Sequence, residues 1–337
     1  MMHGQDVAPG GQASTGASRT AGVRWLAIAL AFVLTFRLVL YFLTPDFGTD
    51  FDLLYHAAEH LVRGVNPYPI ATQWFPYPLF YPIPAVLLAV PFTVLPVELA
   101  RVVFDLIVGW VFAYALWRYR GPYALLAVLS GAYLFALRNG QTTPLMVGAS
   151  LIPALGFLLA VKPNTSLALW VARPSRLAVY GGAAFLLLGL FVLPTWPRDW
   201  WMALQSENSH LLPPVLRPFG FLLLLAALRW RTPAGRLLLA IALIPQNTLP
   251  HELVSLALIP TTLLGMAIYA VGTWIAVGYS AVGMHHATSI AQWTAMSWPS
   301  AFLAVHLPML YLVLRQQPGT STAERGWRSV LKFGSSS

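Results

Sequence analysis

Residues 48–81 read GTDFDLLYHAAEHLVRGVNPYPIATQWFPYPLFY, and residues 23–43 just before them read VRWLAIALAFVLTFRLVLYFL. The earlier run carries no charge except Arg24 and Arg37 and has the length of about 20 residues that takes one helix across a bilayer. The later run is acidic, aromatic and proline-rich. With Asp46 just ahead of it, Asp50, Asp52 and Glu59 account for four of the chain's 11 carboxylates. Carboxylates beside a membrane are costly unless they face water or have a task, so residues 44–81 are expected to form a water-facing loop after a first span.

The same contrast runs through the whole chain. Of 337 residues, 58% are hydrophobic and 9% charged, with a mean hydropathy of +0.66. Soluble domains carry about 25% charged residues, so the composition is that of an integral membrane protein. The apolar runs are continuous and do not alternate with polar positions, which implies helices and not a barrel. The expected fold is an all-α polytopic bundle of roughly nine to eleven spans. Its transmembrane domain covers residues 23–314, between a disordered tail (1–22) and a C-terminal tail (315–337). The net charge of +9 comes from Lys and Arg standing singly or in pairs at the ends of apolar runs, with no basic stripe, so nucleic acid is not an expected partner. Cysteine is absent, which rules out disulfides, thiolate catalysis and Cys-ligated metal.

Charge at the ends of runs sets the expected topology. Arg19 and Arg24 precede the first span and the acidic stretch follows it, which puts the N-terminus in the cytoplasm and the loop outside. Two full spans between Leu79 and Trp117 would place Arg118-Tyr119-Arg120 outside; one re-entrant segment plus one span places it inside. The later loops then alternate, with Arg138–Gln141 outside, Lys162–Arg176 inside, Thr195–Arg217 outside, Arg229–Arg236 inside and Asn247–Glu252 outside. His251–Val282 is long for one helix and short for two. A cytoplasmic C-terminus, suggested by Arg315, Arg325, Arg328 and Lys332, requires two short spans there.

Within the loop, Asp50–Arg63 has helical periodicity. Phe51, Leu54, Tyr55, Ala58, Leu61 and Val62 share one face, Asp52, His56, Glu59 and Arg63 the other, and Gly64 stops the helix. Such a helix is expected to lie along the membrane surface. Asn66-Pro67-Tyr68-Pro69 and Pro76-Tyr77-Pro78 then stiffen the chain as a turning aromatic loop. Asp50 has two readings, a helix-capping residue in competition with Thr49 and a functional carboxylate.

The order Asp50-Phe51, Tyr55, Ala57-Ala58, Gly64, Asn66-Pro67-Tyr68, Tyr77-Pro78 and Pro82 resembles the first exterior loop of glycosyltransferase family 87, a branch of the GT-C superfamily of polytopic enzymes. Asn139-Gly140-Gln141, Lys162-Pro163 and Leu249-Pro250-His251-Glu252-Leu253 are similar to later patches of that family. The chain departs from it in reading Tyr-Pro-Leu-Phe-Tyr-Pro where the family has Tyr-Pro-Pro, and in being short.

The resemblance implies a GT-C type fold with an exterior active site in a bacterial-type plasma membrane. It also implies an inverting transferase, a mannosyltransferase above all, that moves sugar from a polyprenyl-phosphate donor to a hydroxyl of a lipid or glycan acceptor. Asp50, not Asp52, matches the family's catalytic base. No cofactor is expected, since the chain has no Gly-rich nucleotide cradle, and adjacent His285 and His286 point apart on a helix and make no metal pair. Arg138, Arg217 and His251 are the phosphate and headgroup candidates, with Arg198 at the same level. Gln141 and Glu252 are expected at the substrate, and Asn66, Tyr68 and Tyr77 shape the loop. For Arg138 and Arg217 a membrane-anchoring role stands beside the substrate role. Trp74, Phe75, Trp196, Trp200 and Trp201 are readable as sugar platforms or as an interfacial belt. The rival from another class is a transporter or lipid-binding scaffold, which would place charges such as Arg37 and Asp105 inside spans.

Overall fold

The computed structural model describes residues 13–43, 49–73, 75, 77–206 and 211–316. Asp46, Trp74, Pro76, the basic residues Arg325, Arg328 and Lys332, and most of both expected tails lie outside the described residues. Helix α1 (Ala13–Leu43) begins within the stretch expected as tail. Every regular element among the described residues is helical.

Four of these helices are long and apolar enough to cross a membrane: Gly22–Leu43 within α1, α4 (Val97–Arg120), α11 (Leu263–His286), and the continuous run Ile290–Arg315. A fifth appears if α8 (Arg176–Val192) is counted with α9 (Trp196–Ser206), which turns off it by 96°. The count falls short of nine to eleven because many apolar runs are broken into short pieces, α10 (Pro233–Leu243) among them. Pro82, Pro84, Pro91 and Pro96 limit the run after the first loop to a short helix, α3 (Ile83–Ala89), and one 3-10 turn before α4 starts. One short helical stretch followed by one helix of spanning length stands there, and not two full spans. Prolines likewise open the 3-10 segments Pro122–Leu129, Pro153–Ala160 and Pro250–Leu258. The long run from His251 resolves into the last of these followed by α11, with Thr262 capping α11 through Gly265 N–H. The two short spans expected within His251–Val282 are thus replaced by one 3-10 segment and one long helix, and the C-terminal run is a single candidate span made of α12 (Ile290–Ala301), a π turn (Phe302–His306) and α13 (Leu307–Arg315).

Helix α2 (Asp50–Val62) matches the periodicity but not the expected depth. Its buried set is Phe51 to Tyr55 with Ala57 and Ala58, while Val62 is exposed. The Phe51 ring stacks on Phe104 of α4 at 4.2 Å and meets Phe92 edge-on, and Tyr55 donates to the Leu95 carbonyl at 2.7 Å. Helix α2 is therefore sunk into the end of the bundle, with its first turn surrounded by protein. Below it, α1 and α4 are joined by Arg37 and Asp105 at 2.7 Å, both buried.

Candidate functional site

The first turn of α2 is held by a glycine turn from elsewhere in the chain. Helix α5 (Gly131–Arg138) ends in a Schellman arrangement, in which Gly140 N–H donates to Leu137 and Gln141 N–H to Ala136, with Gly140 at a φ of 59°. A Cβ at Gly140 would come within 2.8 Å of Phe51 Cβ and Thr49 Oγ1. Glycine is required there by both the left-handed backbone and the close approach. The contact lets Asp50 N–H donate to the Asn139 carbonyl at 3.0 Å and brings the Gln141 side chain to the Asp50 carboxylate.

The Asn139-Gly140-Gln141 turn is a helix end and not a helix start. The amides of Asn139, Gly140 and Gln141 all bond back to α5 carbonyls, those of Phe135, Leu137 and Ala136, so they offer no helix N-terminus to an anion. The next helix, α6, starts later (Thr143–Leu151). Arg138 sits exposed in the last turn of α5, next to the residue whose carbonyl receives Asp50 N–H.

Asp50 is partly exposed, and three side chains donate to its carboxylate. Tyr77 Oη gives to Oδ1 at 2.9 Å and Tyr81 Oη to Oδ2 at 2.9 Å, and Gln141 Nε2 also donates to Oδ2. Burial, with the Asp50 charge adding to it, pushes both phenols well above their ordinary pKa. They therefore stay protonated and can only donate to Asp50. The loop is shaped as expected: Asn66 Oδ1 takes the Tyr68 amide at 3.1 Å, and Tyr68 Oη gives to the Tyr81 carbonyl at 2.9 Å. Beyond what the sequence suggested, α9 clamps the loop. Asn66 Nδ2 donates to Asp199 at 2.8 Å and Trp200 Nε1 to the Phe80 carbonyl at 2.9 Å. Trp196 is buried and only Trp201 is largely exposed, so this group is not simply an interfacial belt.

Asp52, two residues on, faces away from the loop. Arg101 grips it through Nε and Nη2, each at 2.9 Å, and its carboxylate also caps the Thr49 amide. Thr49, and not Asp50, is the N-cap residue. Asp52, placed on the polar face by periodicity, is buried because Arg101 reaches it from α4.

The network continues through Gln141. Its Oε1 accepts from Lys162 Nζ at 3.2 Å, and Lys162 also donates to Thr143 Oγ1 at 2.9 Å and lies 2.8 Å from Glu252 Oε1. Thr165, on α7 (Pro163–Ala172), donates to Glu252 Oε2 at 2.8 Å. His251 Nε2 lies 3.6 Å from Glu252 Oε1, and its ring is parallel to Phe135 at 6.1 Å. Burial alone would raise the Glu252 carboxyl, but the Lys162 charge, with His251 contributing, holds it well below the usual carboxylate range.

These contacts correct the charge-based topology. Lys162 was expected on the side opposite Gln141 and Glu252, yet it touches both. Helix α6 has nine residues, about 14 Å, roughly half of a bilayer core of about 30 Å. The chain then turns at Ile152 and returns along Pro153–Ala160. Residues 143–162 form a hairpin of two short helical arms, neither long enough to cross a bilayer alone.

Lys162, Thr165 and Tyr81 are members of the cluster that the choice of site residues missed. Lys162-Pro163 was visible as a patch, but its expected side removed it. Arg217 is buried after the short turn Pro214–Leu216, and burial lowers its guanidinium pKa. Pro214 borders a cavity of about 10 Å³ that Glu252 also lines, which puts this turn on the Glu252 side of the site. No family model, curated protein or solved structure matches the chain.

Proposed function

We propose that the protein is an inverting membrane glycosyltransferase of GT-C type, most closely a mannosyltransferase. It would use a polyprenyl-phosphate sugar as donor and a lipid or glycan hydroxyl as acceptor, with its site at the exterior face of a bacterial-type membrane. The observation that carries this reading is the convergence on Asp50 of residues from every patch of the resemblance. Tyr77 comes from the first loop, Gln141 from the Asn-Gly-Gln step, Lys162 from the Lys-Pro step, and Glu252 and His251 from the Pro-His-Glu segment.

The carboxylate geometry suits a general base. Of about four lone-pair positions on a carboxylate, donors take two on Oδ2 and one on Oδ1. Oδ1 is left with room for a hydroxyl hydrogen. In the step, the acceptor oxygen bonds to the anomeric carbon, the bond from that carbon to the phosphate oxygen breaks, and polyprenyl phosphate leaves. The hydroxyl proton passes to Asp50 Oδ1, and attack opposite the phosphate inverts the anomeric configuration. For the phosphate, His251 is a suitable contact because its buried Nδ1 has no hydrogen-bond partner among the described residues. Buried Arg217 and exposed Arg138 supply positive charge.

The test is transfer in proteoliposomes holding polyprenyl-phosphate hexoses and hydroxylated lipid acceptors, comparing wild type with Asp50→Asn. Turnover that survives this substitution would remove the mechanism. A transporter draws support from one observation, the Arg37–Asp105 pair between two candidate spans. Substrate flux without chemical transfer in the same vesicles would favour it.

A further inference from the structure

We infer that Lys162 is a positioning residue: it fixes which end of the Gln141 carboxamide faces Asp50. A carboxamide has a donor end and an acceptor end of nearly the same shape. With Oε1 turned toward Asp50, two acceptors would face each other; with Nε2 there, the amide donates. Two neighbours select the second state. Asp50 accepts from Nε2 on one side, and Lys162, whose ammonium can only donate, gives to Oε1 on the other.

Lys162 is itself held in place. Nζ donates to Gln141 Oε1 and Thr143 Oγ1 at 3.2 and 2.9 Å and is ion-paired with Glu252 Oε1 at 2.8 Å. Glu252 is fixed in turn by Thr165. The 250–258 segment, far along the chain, thereby sets the hydrogen-bond polarity at Asp50 through two side chains. The same arrangement engages the ammonium internally, so its task is orientation and not capture of a donor phosphate.

The consequence for turnover rests on the transferase reading above, whereas the coupling between Asp50 and Lys162 does not. That coupling is measured first, from thermal unfolding of the full-length protein in detergent. Wild type, Asp50→Asn, Lys162→Met and the double variant are compared, and the set is repeated on Gln141→Leu. The amide introduced by Asp50→Asn both donates and accepts, so either orientation of Gln141 suits it. The midpoint drop caused by Lys162→Met should therefore be smaller in the Asp50→Asn protein than in wild type when Gln141 is present, and the same in both when Gln141 is replaced. Additive drops in both sets, or equal non-additivity in both, would overturn the inference. If Lys162→Met does not fold, every Lys162→Met protein is made with Glu252→Gln, which removes the stranded carboxylate, and is referred to Glu252→Gln alone.

In the transfer assay, Lys162→Met should lower kcat about tenfold, the scale of one such coupling, with KM for the donor unchanged and the acid limb of the pH–rate profile moved to higher pH. Lys162→Arg, which keeps a donor-only cation, should recover most of kcat. A rise in KM alone would instead mark Lys162 as a donor-binding residue. A wild-type protein that transfers no sugar defeats the transferase reading and leaves the thermal result standing.

Discussion

Asp50 and Asp52 are the same residue type in the first turn of one helix, and the structure uses them in opposite ways. Asp52 points into the bundle, where a guanidinium takes both its oxygens and it also caps the turn it belongs to. Asp50 points toward the aromatic loop and receives only neutral donors: two phenols and an amide. A carboxylate matched by a charged partner is committed to structure; one held by neutral donors keeps an oxygen position open. The difference arises because side chains two apart on a helix project about 200° apart, so one meets α4 and the other meets the loop.

Substitutions can break this contrast. The largest effect is expected from Asp50→Asn, which should cut transfer by about 10²–10⁴-fold, the usual worth of a general base, while the melting temperature stays near that of wild type. If the two changed together, Asp50 would be structural like Asp52. Next, Arg101→Met should destabilise the protein by about 3–5 kcal/mol, because it strands a buried carboxylate; denaturation in mild detergent reads this, and activity per folded molecule should fall far less. Smaller again is Tyr77→Phe, which removes one donor to Asp50 and should cost about 1.5–3 kcal/mol in transition-state or folding free energy, the scale of a hydrogen bond to a charged group. Comparing kcat/KM with the unfolding midpoint apportions that loss between the two.

Glu252→Gln gives a pH test. Its carboxyl is held below its ordinary value of 4.5, so the stability it contributes is present above pH 4.5 and is lost as pH falls below that toward the folded-state pKa. Wild type should exceed the variant in melting temperature at pH 7, and the gap should narrow on acidification below 4.5. A gap that widened in acid would reverse the assigned role of the Lys162 charge.

The first loop was legible where local rules apply. The periodicity of 50–63 marks a helix, Gly64 follows its end, and Asn66 with the following prolines marks a turning loop; the structure has α2 and the Asn66–Tyr68 turn there. The pairing of Asp52 with Arg101, 49 positions away, was not legible, because periodicity records only which side of a helix is apolar on average. Lys162 was misplaced for a related reason. The charge rule assigns a side by counting crossings, and the apolar run between Gln141 and Lys162 looks like a crossing although it turns back at Ile152 and Pro153.

By itself the sequence determined that this is a helical membrane protein, where its first candidate span and the short helix after it lie, and that Asp50 belongs to a polar island worth testing. Those properties follow from composition and from the 3.6-residue period, which act within a window of about 20 residues. Only the tertiary structure decided that Asp52 is tied to Arg101, that residues 143–162 fold back, and that Gln141, Lys162 and Glu252 meet beside Asp50. Inside a low-dielectric bundle each buried polar group must find a partner wherever the chain can bring one, and a linear pattern of apolar and charged letters does not record which partner that is.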